Sequence, residues 1–414
     1  MNKAIAFLLG VMSCAAVSAR AATISLTSGG DLATAIADET CDRIELGDGT
    51  YEVSAQISVS RALTILGVNG RDKVTVRPAA SVKCRIFNLN HAQAIVQGLT
   101  ITGGSGSSGS GVNIGANGGQ VLDCRVTGNS TGQNQSGAIN IAGANGFVAR
   151  TIIDHNSNGD NYSYSGSGIA MSAGHVESCL IYGNTNNGSS RGAGTFYSGG
   201  AHLSGGTISN CTIVANSGRN TGGVSVEKTG KIVNCIIYGN TRTSGTSTAN
   251  GVPECNLTTA YTGCMTTDPR FLDPAANNYH ITTYSPACNA GVGGSAASTD
   301  LDGNPRVAGA AIDVGCYENP GTDQWIYVVG SPEDYTSITP AYGIRSGLSA
   351  NEEVICHAPA AWTNEAVTHR ALHAGWEVRD GNGAVVATAP ATRGLPSRSV
   401  EAADPPTPAL QAGE

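Results

Sequence analysis

The chain has 414 residues, 56 of them glycine, with 13% charged and 5% aromatic residues. That length allows one elongated domain plus a smaller one, and the glycine-rich, charge-poor balance suits turn-rich β structure rather than helices or overall disorder. The formal charge of −8 disfavours non-specific binding to nucleic acid or anionic membrane.

Residues 1–21 carry Lys3, an apolar run from Ala4 to Val17 and small residues at Val17-Ser18-Ala19 and Ala19-Arg20-Ala21. This is the succession of a secretory signal, too short for a membrane anchor, with cleavage expected after Ala21 or Ala19. VMSC offers a lipoprotein site at Cys14, which Met12 and the short apolar run fit poorly. No second apolar segment approaches ~18 residues, so a secreted or cell-surface protein without a membrane span is expected. The intact mass of exported protein should correspond to a start at Ala22 or Arg20; a mass that retains Met1 would overturn this.

Residues 31–38 place Leu32, Ala35 and Ile36 on one helical face with Asp31 able to cap the start. Such a helix would cover the first turn of a β structure whose edge would otherwise be open. Stretches 42–53, 57–68 and 73–89 then alternate apolar residues with turn signals. Six copies of one pattern follow: IVQGLTITG (95–103), VLDCRVTGN (121–129), VARTIIDHN (148–156), VESCLIYGN (176–184), ISNCTIVAN (208–216) and IVNCIIYGN (232–240). Counted from the fourth residue of each copy the steps are 26, 27, 28, 32 and 24, which suits a stacked solenoid with loop insertions. A Gly-containing strand precedes five copies, at 110–114, 136–140, 167–171, 199–203 and 222–226.

Within CTI or CII the Cys and the Ile two residues later share a face, and β-branched residues between Gly and Asn breakers argue strand over helix. No single copy buries that face alone. Stacked at roughly 4.8 Å per coil, the copies make one core, and the expected fold is all-β, a right-handed parallel β-helix. Asn129, Asn156, Asn184, Asn216 and Asn240 end five copies, and Asn both tolerates a left-handed turn and forms amide ladders when repeated coil on coil. Asn184→Ala or Asn216→Ala should then cost about 1–3 kcal/mol, whereas Asn186, read as solvent-facing, should be a neutral control. These residues resemble the right-handed β-helix family that includes pectate lyase-like proteins, and the G-G-[AV] and [IV]-x-x-N elements are similar to repeats of bacterial polymorphic surface proteins. The resemblance spans about 300 residues and implies an architecture that enzymes and non-enzymes share.

After Asn240 the pattern gives way to TTDPRFLDPAANNYHIT (266–282), SPACNAG (285–291) and DLDGNPRVAGAAIDVGCYE (300–318). The order of these motifs resembles the C-terminal closing segment of bacterial secreted β-helix proteins, and it implies a cap over the last coil. The domains are accordingly 1–21 signal, 22–318 β-helix with its caps, 319–390 a small sandwich-like β module, and 391–414 a disordered tail. Asp-Gly-Asn-Gly at 380–383 reads as a hairpin turn inside the module.

Chemistry-bearing residues are sparse. Cys124, Cys179, Cys211 and Cys235 share one repeat position and are expected to stack inside as free thiols, because parallel side chains keep Cβ atoms beyond the preferred ~3.8 Å. Cys288 and Cys316 replace residues that are usually apolar in similar closing segments, which suggests a bridge; Cys41 with Cys84 and Cys255 with Cys264 are further pairings. The cysteine spacings do not resemble a zinc site. Asp300, Asp302 and Asn304 alternate as in a calcium loop, yet Pro305 stands where an EF-hand needs Gly, so an Asp-stabilised turn is favoured; no cofactor is expected, with calcium the one ion this turn could invite. Arg61, Arg71, Lys73, Arg77, Lys83 and Arg85 form a local basic excess that reads either as a face for an acidic polysaccharide or, as favoured, as solvated strand surface. Asp154 and His155, with His175 and Glu177 one coil on, are the acid/base candidates. Arg150 and Asp123 share a repeat position on adjacent coils and read as a cross-strand ion pair. The pectate lyase Arg-x-Pro-x-x-Arg and the polygalacturonase Asn-Thr-Asp and Arg-Ile-Lys are absent from the sequence. The expected function is non-catalytic contact with polysaccharide or another cell-surface component, with a lyase or hydrolase of uronate-containing glycans as the alternative; the sequence leaves the oligomeric state open.

Overall fold

A computed structural model describes residues 22–132, 135–158, 166–187, 198–227, 229–243, 261–282, 285–293 and 298–319, and the backbone of short strands between Trp325 and Val400. Residues 1–21, with the expected signal and Cys14, lie outside the described residues, as do Cys255 and the tail beyond Val400.

The solenoid is a right-handed parallel β-helix with four parallel sheets among the described residues. From Ala94 to Val226 each coil runs in the order A, B, C, D, and the described coils before Ala94 have no strand in sheet C. The coil that begins at Gly119 shows it: Gly119–Leu122 in the ten-stranded sheet A, Arg125–Thr127 in the eight-stranded sheet B, Ser130–Thr131 in the six-stranded sheet C and Ile139–Ile141 in the seven-stranded sheet D. Registers are in step from coil to coil, as in Val121 with Val148 and Val126 with Ile153, so alternate residues of every strand point inward. The inward set, including Val121, Val148, Val176, Ile208 and Ile232 of sheet A and Val126, Ile153, Ile181, Ile213 and Ile237 of sheet B, forms one continuous buried core.

Helix Leu32–Ala37 covers the first coils, its Asp31 carboxylate accepting from Thr34 N at 3.1 Å while Leu32 and Ala35 enter the core. Arg61 braces the far end of this helix, donating to the carbonyls of Ile36, Asp38 and Cys41.

Two internal ladders follow the turns. In the first, Asn129, Asn156, Asn184, Asn216 and Asn240 are buried, and each Nδ2 of the first four donates to the next Oδ1 at 2.9–3.0 Å. Each Oδ1 from Asn156 onward also accepts the backbone N–H of the preceding rung. In the second, Cys124, Cys179, Cys211 and Cys235 are fully buried free thiols. Cys264 extends this stack, because the amides of Cys179, Cys211 and Cys235 donate in turn to the sulfur of the next coil at 3.3–3.4 Å. Thr151 stands where Cys124 would find its partner sulfur, and its hydroxyl takes the Cys124 amide instead. Burial pushes the Cys124 thiol up to about 12, so it stays protonated and unreactive.

Several expectations need correction. Asn186 is buried, not solvent-facing, since it sits on the inner side of sheet C. Cys288 and Cys316 are both free, Cys316 being held among apolar side chains and Cys288 beside Asn289, and Cys41 and Cys84 are likewise unbonded. Arg398–Val400 is a strand paired antiparallel with Cys356–Ala358, so the β module reaches beyond residue 390 into the stretch read as tail. The hairpin strands Gly375–Arg379 and Val385–Pro390 pair antiparallel as the turn signal implied.

The closing segment is not a plug on the last coil alone. Tyr261–Thr262 and Met265 continue the stack, but most of 266–319 lies along the outer face of sheet B. There Leu180, Tyr182, Val214 and Ile236 meet Phe271, Tyr279, Ile281, Leu301, Val314 and Tyr317 in a second apolar core. Polar ties fix the seam: Ser178 Oγ to Thr299 O, Arg306 Nη2 to Asn210 O at 3.3 Å, Cys316 N to Thr212 Oγ1 at 3.1 Å, and Asn234 with Val292 in both directions.

Candidate functional site

The chemistry-bearing side chains gather on sheets A and B and the bend between them. On the outer side of sheet A the register aligns Thr64, Ile95, Gln120, Phe147, His175, Thr207 and Lys231 in one row. Beside it, nearer the bend, run Leu66, Gln97, Leu122, Ala149, Glu177, Ser209 and Val233. Phe147 and His175 stack with ring centroids 6.0 Å apart and planes 17° apart, as neighbours one coil apart on a parallel sheet must. The closing segment touches the bend at Ser178, Asn210 and Asn234, so it borders this face along its second half.

His175 and Glu177 come together as the sequence suggested, but not as a catalytic relay. The Glu177 carboxylate and the Ser209 hydroxyl both meet the same ring nitrogen, Nε2 of His175, at 3.2 and 3.0 Å. A relay needs base and orienting acid on opposite nitrogens. Glu177 is itself buried. Asp123 and Arg150 form the expected pair, Nε to Oδ1 at 2.7 Å and Nη2 to Oδ2 at 3.1 Å, with Gln97 also donating to Asp123.

Asp154 and His155 lie on sheet B and its following turn, one bend away from His175 and Glu177. Asp154 is fully buried, and its carboxylate accepts from Arg125 Nε and Nη2 at 2.9 and 2.8 Å, from Thr127 Oγ1 at 3.1 Å and from His155 Nδ1 at 2.7 Å. Burial pushes this carboxyl up, but the Arg125 and His155 hydrogen bonds outweigh it and hold it below the ordinary carboxylate range. The His155 side chain is 58% exposed. Its backbone is left-handed, φ 51°, where adjacent coils carry Gly128 and Gly183. The ring crosses over Gly183, whose missing Cβ would stand 3.3 Å from Nε2, and meets Tyr182 edge-on at 5.3 Å. Sequence reasoning missed Arg125 and Tyr182, which belong to repeat positions that vary from coil to coil; their presence one coil before and after Asp154 was the available signal.

The six basic residues do not share a face. Arg61 braces the helix; Arg71 reaches Arg150 O at 2.9 Å; Arg77 pairs with Glu52; Arg85 donates to Ser108 O and Gln56 on the far side of the coil. Lys73 and Lys83 are exposed. The Asp300 carboxylate accepts from the amides of Asp302, Asn304 and Glu318 and from Asn304 Nδ2, and Asp302 Oδ2 lies 2.6 Å from His280 Nε2, so Asp300 ties its own turn together. Among the described residues no group of three or more His, Cys, Asp or Glu could hold a metal ion. Nor is any described helix long and apolar enough to cross a membrane.

No family model and no curated protein matches the sequence. Among solved structures the chain is similar to one titled "Crystal structure of pectate lyase Pel9A", at 13% identity and a TM-score of 0.40, covering 72% of this chain and 96% of that one.

Proposed function

We propose that the protein is a secreted or surface-associated polysaccharide-binding protein that holds its ligand along the outer face of sheet A without cutting the glycan chain. The observation that carries this reading is the unbroken in-register row from Thr64 to Lys231, bordered by the closing segment. Six coil steps at ~4.8 Å give a straight track of roughly 29 Å, matched to a linear polymer rather than to a compact ligand. Gln97, Gln120, His175 and Thr207 offer hydrogen bonds to sugar hydroxyls, and Ile95, Leu122 and Phe147 offer apolar contact to ring C–H faces. Lys231 stands at one end of that row and Arg43, paired with Glu45, continues it past Thr64, so an uncharged or weakly charged glycan suits its mostly uncharged middle better than a polyanion.

Cleavage of the glycosidic bond is disfavoured on chemical grounds. Hydrolysis calls for two carboxyl groups across the scissile bond, and elimination calls for a cation at the uronate carboxylate together with a base. Asp154 holds four donors already, the charge of Arg125 is balanced by it, and Glu177 is buried against His175. The test is a glycan array followed by product analysis on the glycans that bind and on pectate, alginate and chondroitin with calcium. Binding with neither reducing-end release nor ultraviolet absorbance of an unsaturated product is expected. Turnover that disappears in His155→Ala or Asp154→Ala would establish the lyase or hydrolase reading instead.

A further inference from the structure

We propose that His155 is the general base of a second site, on the outer edge of sheet B, that hydrolyses acyl esters such as the O-acetyl groups of a glycan. Three observations converge on it. First, the ring of His155 is held in place, lying over Gly183, whose missing Cβ would stand 3.3 Å from Nε2, and meeting Tyr182 edge-on at 5.3 Å, while its left-handed backbone is shared by Ala215 at the same repeat position. Secondly, the buried Asp154 carboxylate lies 2.7 Å from Nδ1, which fixes the proton there and turns the lone pair of Nε2 away from the carboxylate. Thirdly, Arg125 meets the same Asp154 oxygen as His155, and a guanidinium has five N–H donors of which Asp154 takes two.

The charge balance selects the reaction. Arg125 and Asp154 form a neutral pair, so the site supplies hydrogen-bond donors and a base without the surplus cation that a uronate carboxylate would require. A second carboxylate for glycoside hydrolysis is missing beside it, since Glu177 stands on sheet A with His175. Ester hydrolysis needs less. Nε2 takes a proton from water, the water oxygen bonds to the acyl carbon, and the carbonyl electron pair moves onto oxygen, where the Arg125 N–H groups stabilise it. The tetrahedral species collapses, the bond from the acyl carbon to the sugar oxygen breaks, and the imidazolium returns its proton to the departing sugar hydroxyl. A carboxylic acid and an alcohol leave, and nothing is oxidised or reduced. The one imidazole serves both proton transfers.

This site and the sheet A track lie on different faces, so either reading can fail alone. The test measures acetate release from acetylated xylan and from 4-nitrophenyl acetate by the purified full-length protein. Wild type should release acetate, and His155→Gly should lose the rate by about 100-fold or more. Because glycine is native to this position on the neighbouring coils, His155→Gly should keep or raise the thermal midpoint, which separates loss of chemistry from loss of fold. His91→Ala, away from the site, should keep the wild-type rate and so excludes adventitious catalysis by surface imidazole. No acetate release by wild type, or an undiminished rate in His155→Gly, would overturn the proposal.

Discussion

Asn184→Ala is expected to destabilise the solenoid by about 3 kcal/mol, the upper end of what one buried amide suggests. Asn184 Nδ2 donates to Ile153 O, Tyr182 O and Asn216 Oδ1, while its Oδ1 accepts both the backbone and side-chain N–H of Asn156. Truncation therefore strands donors on the coil before and acceptors on the coil after, in an interior where no water replaces them. Asn117, exposed on a turn, provides the control that Asn186 cannot. Urea unfolding should move the Asn184→Ala midpoint far below wild type and leave Asn117→Ala within error; equal midpoints would remove the ladder from the account.

Arg306→Ala should be the most pH-dependent change. Arg306 and Glu318 are almost completely buried, with Nη1 3.4 Å from Oε2, and Arg306 also donates to the carbonyls of Gly315 and Asn210, so it ties the closing segment to itself and to the coils. Burial pushes Glu318 up to about 7 and raises Asp313 as well. A carboxyl whose folded value is raised above its ordinary 4.5 stabilises the fold most below that value, and the contribution is lost as pH rises through about 7. In wild type this group alone should weaken the fold by about 2–3 kcal/mol between pH 5 and pH 8. Removing Arg306 leaves an unpaired buried carboxylate at pH 8, a loss of about 3–5 kcal/mol, and a smaller loss at pH 5, where Glu318 carries its proton. Denaturant titrations at the two pH values decide it: the same loss at both would contradict the assignment.

The coil pattern was legible because it is written six times: Val126, Ile153, Ile181, Ile213 and Ile237 recur at one offset, and a recurring inward residue fixes a face. The Asn rungs were legible for the same reason. What repeats poorly was not. Cys264 joins the thiol stack although its coil, YTGC, lacks the strand residues of the others. Asn186 reads as surface in the sequence because the two-residue strands of sheet C are too short to show alternation, yet Thr131, Asn158, Asn186 and Gly218, the second residues of four of them, are buried. The lateral seat of the closing segment did leave a trace. Leu180-Ile181-Tyr182 and Ile236-Ile237-Tyr238 are apolar on both faces, whereas Thr100-Ile101-Thr102 is polar outward, as expected if only the later coils are covered. The Asp154 network depends on Arg125, Thr127 and His155, contributed by two coils and conforming to no spacing, so only packing brings it together.

The most direct test of the account's central claim is calorimetric titration of an array-selected glycan against single variants on different faces: Gln120→Ala on sheet A, Ser130→Ala on sheet C and Asn113→Ala on sheet D. Binding along sheet A predicts about a tenfold or greater loss of affinity for Gln120→Ala, equivalent to roughly 1.4 kcal/mol, with the other two unchanged. Unaltered affinity in Gln120→Ala together with a loss in Ser130→Ala or Asn113→Ala would contradict it.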